Sequence, residues 1–382
     1  MPSRLRGLAF RLLLLASSLL LGLAIGEVAV RALKPQAVLV ITPGLYQADP
    51  PRRYRLAPGH RGTITNRVEF STAVRVNRAG LRGPEVGPKR EGVLRILAAG
   101  DSFTFASTVE EAEAWIALLG EQLGGHGIPA EGLNGGVNGY GVPDATAWVA
   151  AHGVPLEPDL VVLGVFVGND LQDANPGLAQ AEVVDGLLEA PTSRGGWKRW
   201  LYYHSHLFVL AKRGLPYPIQ SRLRGLLGLA EPWDLTVRRQ EAAVYRRADS
   251  EAVRLGAEAT DRALEQLQQL AEQRGIRLAA LLIPAPAQVD PAAWQSLFAE
   301  LGLDPSGHDP DRPTAIFRDL LARRGIPALD LTGALREERE QRAFLYYPID
   351  QHLTPEGNRV AARELARFLL DSGLAAPPRP GS

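Results

Sequence analysis

The chain has 382 residues and 46% hydrophobic content, enough for a packed core, which excludes disorder as the overall reading. Its 42 basic and 42 acidic residues cancel, which argues against a nucleic-acid binder working by bulk charge. It has no cysteine, so disulfides, thiolate catalysis, cysteine-based zinc sites and a lipidated-cysteine anchor are excluded.

At the N-terminus Arg4, Arg6 and Arg11 precede an uncharged stretch from Leu12 to Gly26, the pattern of an export signal. Continued through Glu27 to Val30, the helix reaches the length of a bilayer crossing at about 1.5 Å per residue. Ala24-Ile25-Gly26 offers small residues at cleavage-site spacing, but the apolar pattern runs on past it. An uncleaved anchor over residues 1–33 is therefore favoured over a cleavable signal peptide. Either way the remainder is expected outside the cytoplasm, periplasmic or extracellular, and secreted if the segment is cleaved.

Residues 34–92 are rich in proline, glycine and arginine, and the alternating run Val68 to Val76 predicts a small β element rather than a second core. The main domain is expected over 93–372, with a flexible tail at 373–382. "VLRILAAG" from Val93 reads as a buried parallel strand, followed by a helix over Glu111 to Leu123 with one apolar face. Asp159 to Gly168, Ile276 to Pro284 and Ile326 to Leu331 are further apolar runs, and their alternation with helical segments predicts an α/β fold with a parallel sheet. Residues 174–275 do not fit that alternation and read as a helical insertion near the site. Its aromatic and basic part, Gly195 to Leu215, packs on the domain, lies on a membrane surface or forms a lid.

Four polar clusters follow strands or precede a helix. Gly100-Asp101-Ser102 ends the first strand and offers a serine nucleophile, though the same triplet makes an ordinary turn with helix-capping residues. Glycines at 135, 136, 139 and 141 let backbone approach a substrate closely, and Asn169 ends the apolar run at Phe166 with a neutral donor. His352 precedes a C-terminal helix with Thr354 as its N-cap and Pro355 at its first position. Asp350 lies two residues before it, near enough to orient an imidazole. His204, His206, His126 and His152 read as structural. Pro284 to Asp290 follows a strand and is expected to line an acyl or leaving-group pocket.

In order, "GDSFTFA", "NGGVNGYG", "GND" and "DQHLTPEG" resemble the motif blocks of the SGNH, or GDSL-type, hydrolase superfamily. The resemblance covers roughly Val93 to Leu370, most of the insertion excepted. It implies a flavodoxin-like three-layer α/β/α sandwich that needs no metal or organic cofactor. By position it makes Ser102 the nucleophile and first oxyanion donor, Gly139 and Asn169 the other donors, His352 the base and Asp350 its orienting acid. Two departures stand out: the aspartate is two residues before the histidine rather than three, and Ala106 stands where relatives often carry glycine. The shorter spacing also occurs among exported relatives that acetylate polysaccharides. The expected function is thus a membrane-anchored serine esterase acting on a small-molecule, glycan or lipid ester. An O-acyltransferase working on an envelope polysaccharide is the alternative, and an inactive scaffold with the same fold is the third reading.

Overall fold

A strand with no polar face must be covered on both sides, and Leu94–Gly100 is buried at every position. The structure, a computed structural model, describes residues 3–175, 181–189, 197–213, 239, 242–248, 250–341 and 343–376. Among these, α1 spans Ser3–Leu33 and five short strands follow: β1 Val40–Ile41, β2 Tyr46–Ala48, β3 Tyr54–Leu56, β4 Arg61–Thr65 and β5 Ser71–Arg75. The main domain begins with β6 Leu94–Gly100, α2 Ser102–Phe105, α3 Trp115–Gly125, β7 Ala130–Gly136, α4 Val142–Trp148, β8 Leu160–Phe166 and α5 Asp170–Asp173. Next come β9 Glu182–Val184, β10 Leu187–Glu189, α6 Trp197–His204, α7 His206–Arg213 and α8 Glu251–Arg274. The chain closes with β11 Arg277–Ile283, α9 Pro286–Val289, α10 Pro291–Leu301, α11 Arg312–Arg323, β12 Ala328–Asp330, α12 Thr332–Glu340 and α13 Pro355–Asp371.

Strands β7, β6, β8, β11 and β12 form one sheet in that order, all parallel. Numbered along the chain this is the flavodoxin order 2-1-3-4-5, with its reversal point between β6 and β8. The two faces divide by the strand period of two. Leu94, Ile96 and Ala98 pack with Trp115, Leu119, Val360 and Leu365 of α3 and α13. Leu97 and Ala99 pack on the opposite face with Trp148, Leu264 and Phe317 of α4, α8 and α11. The three-layer sandwich read from the sequence is the observed fold.

Three expectations need correction. The helix over Glu111 to Leu123 begins later: Glu111–Glu113 forms a single 3₁₀ turn, and Ala114, in extended conformation, separates it from α3. The insertion is shorter than 174–275, because α8 is the crossover helix between β8 and β11. It buries Val253, Gly256, Thr260, Ala263, Leu264, Leu267 and Ala271 against the domain, a stripe at helical spacing that makes it part of the sandwich. What precedes α8 is also not purely helical, since β9 and β10 pair as an antiparallel hairpin.

The extension before the sheet has no core of its own. Tyr54, Leu56, Ile64 and Val74 join the same buried cluster as Leu97 and Trp148. Arg82, only 3% exposed, reaches inward and donates to Phe105 O at 2.7 Å, Val109 O at 2.6 Å and Ala106 O. Burial pulls its pKa down to about 10, so it stays charged at neutral pH. Arg82→Met leaves these buried carbonyls without their donor and is expected to cost about 3–5 kcal/mol. A urea unfolding curve checks this, with a lower midpoint and unchanged slope.

The apolar helix α1 carries a 27-residue segment, Gly7–Leu33, long and apolar enough to cross a membrane. Near its end the Glu27 carboxylate accepts from Ser205 Oγ at 2.7 Å and from the N–H groups of His206 and Leu207 at 2.8 and 2.9 Å. It thereby caps the first turn of α7 from outside that helix. Arg31 braces the same junction, donating to Glu27 at 2.6 Å and to His204 O at 2.5 Å.

Candidate active site

Strand β6 lies between β7 and β8, its last residue Gly100 pairing with Gly136 at the end of β7 and with Gly164 of β8, which runs two residues further to Phe166. Ser102 stands two residues past the end of β6, Gly139 three past β7 and Asn169 three past β8. All three sit at the carboxyl edge of the sheet, around its reversal point, where open α/β folds gather their ligands. The chain passes close here: a methyl on Gly136 would lie 2.1 Å from Phe105 N.

Asp101 caps α2, its Oδ1 accepting from Phe103 N at 2.9 Å, and so sets Ser102 at the first helical position. The helix closes at Ala106, whose φ of 61° places it in the left-handed region. That conformation explains why glycine suits this position, and alanine holds it under mild strain.

His352 arrives from the other end of the chain. Thr354 caps α13 through Gly357 N, as its sequence predicts. Gln351, with φ of 71°, turns the chain between Asp350 and His352 so that both side chains face one way. The Ser102 Oγ–H donates to His352 Nε2 at 2.7 Å, and His352 Nδ1–H donates to Asp350 Oδ1 at 2.6 Å. The imidazole stacks on Phe103 with ring centroids 4.5 Å apart, and Phe103 in turn stacks on Phe166 at 3.9 Å. Burial alone would lower the His352 pKa; the hydrogen bond and charge of Asp350, with the charge of Asp101, reverse this and leave it raised.

Two carboxyls next to site residues in sequence, Asp101 and Asp170, are buried. Burial, followed by the charge of Asp101, pushes the Asp170 pKa well above the usual carboxylate range. Burial also raises Asp101, with the nearby His352 opposing it. Asn169 donates one N–H of Nδ2 to Asp173 Oδ2 at 2.9 Å and has a second N–H on the same nitrogen. Gly139 has φ of 77°, and no described residue accepts from its N–H. Its carbonyl accepts from Arg53 at 3.4 Å, and Tyr54 Oη donates to the neighbouring Asn138 O at 3.0 Å.

A cleft of about 760 Å³ opens beside this arrangement, with Phe166, Ala287, Val289, Phe344, Tyr347 and Gln351 in its walls. The Pro284 to Asp290 segment contributes Ala285 to Ala287, Val289 and Asp290 to it. The remaining histidines have other contacts. His204 Nδ1–H donates to Trp200 O at 2.8 Å, His206 Nδ1 accepts from Gln36 N at 2.8 Å, and His152 meets Asp49 at 3.0 Å.

Residues 240–380 match a family described as the SGNH hydrolase-like domain of the acetyltransferase AlgX. The match covers the C-terminal part of the chain, just over a third of its length. The matched segment includes Asp350 and His352 and begins after Ser102, Gly139 and Asn169. No curated protein matches the chain in sequence. Among solved structures it is similar to the acetyl xylan esterase AlAXEase, at 15% identity and a TM-score of 0.37, over 73% of this chain and 99% of that one. It is also similar to a catalytic mutant of Axe2, an acetylxylan esterase from Geobacillus stearothermophilus, at 12% identity and a TM-score of 0.40, over 74% and 96% of the two chains. A two-domain esterase active on acetylated mannans gives 11% identity and a TM-score of 0.40, over 76% of this chain and 52% of that one. Likeness this distant carries no inference about substrate.

Sequence motifs led to Ser102, Asp350 and His352, which the structure brings into contact, and to Gly139 and Asn169, which it sets just past the two strands that flank β6. They did not lead to Arg53, Tyr54, Glu69 or Arg82, four residues of the extension that hold the loops of this site through backbone groups. No local spacing marks such residues, because their partners are peptide groups far along the chain.

Proposed function

We propose that the protein is a membrane-anchored, extracytoplasmic serine esterase. The observation that supports this reading most is the hydrogen-bonded series Ser102, His352 and Asp350, at 2.7 and 2.6 Å, at the reversal point of the sheet. Ser102 Oγ attacks the ester carbonyl while His352 Nε2 takes its proton, and Asp350 stabilises the imidazolium. The Ser102 N–H, the Gly139 N–H and Asn169 Nδ2 are the donors for the tetrahedral oxyanion. His352 then protonates the departing alkoxide, and water, deprotonated by the same imidazole, hydrolyses the acyl-enzyme. The apolar helix α1, with the arginines Arg4, Arg6 and Arg11 in its first turns, supports the anchor, the domain following it across the membrane.

The family match favours a second reading, in which a sugar hydroxyl replaces the hydrolytic water and the acyl group is transferred. Both share the first half-reaction. The purified full-length protein, given p-nitrophenyl acetate and an oligosaccharide acceptor, distinguishes them. Hydrolysis predicts free acetate equal to nitrophenol released, with or without acceptor. Acetylated oligosaccharide exceeding free acetate would establish transfer instead. Extending the series to longer acyl esters tests whether the cleft beside Phe166 takes the acyl group.

A further inference from the structure

We propose that Glu69, in the extension that precedes the sheet, is a positioning residue that sets Asp350 against His352. This rests on reading Asp350 as the residue that orients the His352 imidazole. The Glu69 carboxylate accepts two successive backbone N–H groups, from Ile349 at 2.8 Å and Asp350 at 2.9 Å. Neither amide belongs to a helix or strand, and both lie on the turn that carries Asp350. A carboxylate with one oxygen on each N–H holds such a turn in both position and orientation.

Two features make that hold consequential. The turn relies on Gln351 in the left-handed region, a conformation that residues with a Cβ resist, so it needs support from outside. Within the turn, the supports are Gln351 N donating to Tyr347 O at 2.9 Å and Tyr347 N donating to His352 O at 3.0 Å. Glu69 itself is fixed. It sits in the link between β4 and β5, where buried Asn66 accepts from Val68 N at 3.1 Å and Glu69 N at 2.7 Å through Oδ1. The same Asn66 donates Nδ2 to Glu69 Oε2 at 2.8 Å, so its side chain grips both ends of the glutamate. Thr65 Oγ1 closes the link by accepting from Arg67 N at 2.9 Å and donating to Phe70 O at 2.7 Å. Phe70 packs on Tyr347 with ring centroids 5.6 Å apart, adding an apolar contact between the same two turns. A rigid, pre-aimed carboxylate therefore meets a strained turn that bears the histidine's partner.

The test uses the full-length protein in detergent, with p-nitrophenyl acetate as substrate. Glu69→Ala is expected to lower kcat roughly tenfold to a hundredfold, the scale of a small misplacement, with KM changed by less than about twofold. Glu69→Asp, which keeps two oxygens, recovers part of the loss. Glu69→Gln, which turns an NH₂ toward an N–H, does not. In an Asp350→Asn background Glu69→Ala costs less than about threefold, because the geometry it protects has lost its purpose. A second readout needs no turnover: the downfield proton resonance of His352 Nδ1–H, bonded to Asp350, shifts or broadens in Glu69→Ala. If the wild type lacks turnover but Glu69→Ala still moves that resonance, the esterase reading fails and the positioning role stands. A kcat and a proton resonance unchanged in Glu69→Ala would overturn the proposal, as would an equal loss in both backgrounds.

Discussion

Ser102→Ala is expected to abolish fluorophosphonate labelling and to lower kcat for activated esters by about a hundred-thousandfold. The reason is chemical rather than structural. Ser102 is half-buried, its Oγ does nothing for folding beyond its contact with His352, and alanine fits the first turn of a helix equally well. Stability should therefore stay near that of the wild type while chemistry stops. His352→Ala should cost about as much, and the double variant no more than either alone, because the hydroxyl and the imidazole act as one unit. Additive losses would mean that the two side chains serve separate steps. Residual activity in the double variant, compared with the uncatalysed reaction, measures what the three oxyanion donors contribute alone.

Asp350→Asn combines a large loss of rate with a shift in pH dependence. The base must be neutral to accept a proton, so kcat/KM rises as pH passes upward through the His352 pKa. That pKa is raised above its ordinary 6.5 largely by Asp350, against the lowering effect of burial. Removing the carboxylate charge lets burial prevail, and the rising limb should move to lower pH. The plateau nevertheless falls by roughly a thousandfold, because the amide no longer holds Nδ1–H in place or stabilises the imidazolium. A pH–rate profile of both proteins between about pH 5 and 9 reads the two effects separately. A limb that moves upward would mean that Asp350 is not the group that charges His352.

Much of this architecture was legible in residue order. The uninterrupted run ending at Gly100 could only be a covered strand, and Thr354-Pro355 could hardly avoid starting a helix. Those two points fix where Ser102 and His352 leave their elements. Strand β7 was far less visible, since Ala130–Gly136 contains three glycines and a single large apolar residue, Leu133. It is a strand because β6 offers it an edge to pair with along its whole length. Helix α8 was read as helical but assigned to the insertion, because its 24 residues carry charge on the outer face, which drew it into the polar segment before it. Glu69 was invisible because its partners are amides 280 and 281 residues away, and an amide has no letter in a sequence.

The capping of α7 by Glu27 bears on how far the catalytic domain can wander. If α1 crosses the lipid, as proposed, a carboxylate near its outer end is already bonded to the domain, leaving no slack tether between bilayer and enzyme. The mouth of the cleft would then stand at a set height and heading above the lipid surface. Substrate would have to be delivered to it, rather than sought by a swinging head. A version cut free at residue 34 would keep its chemistry but lose the mounting, and with it the final turn of α1 to which α7 is fastened.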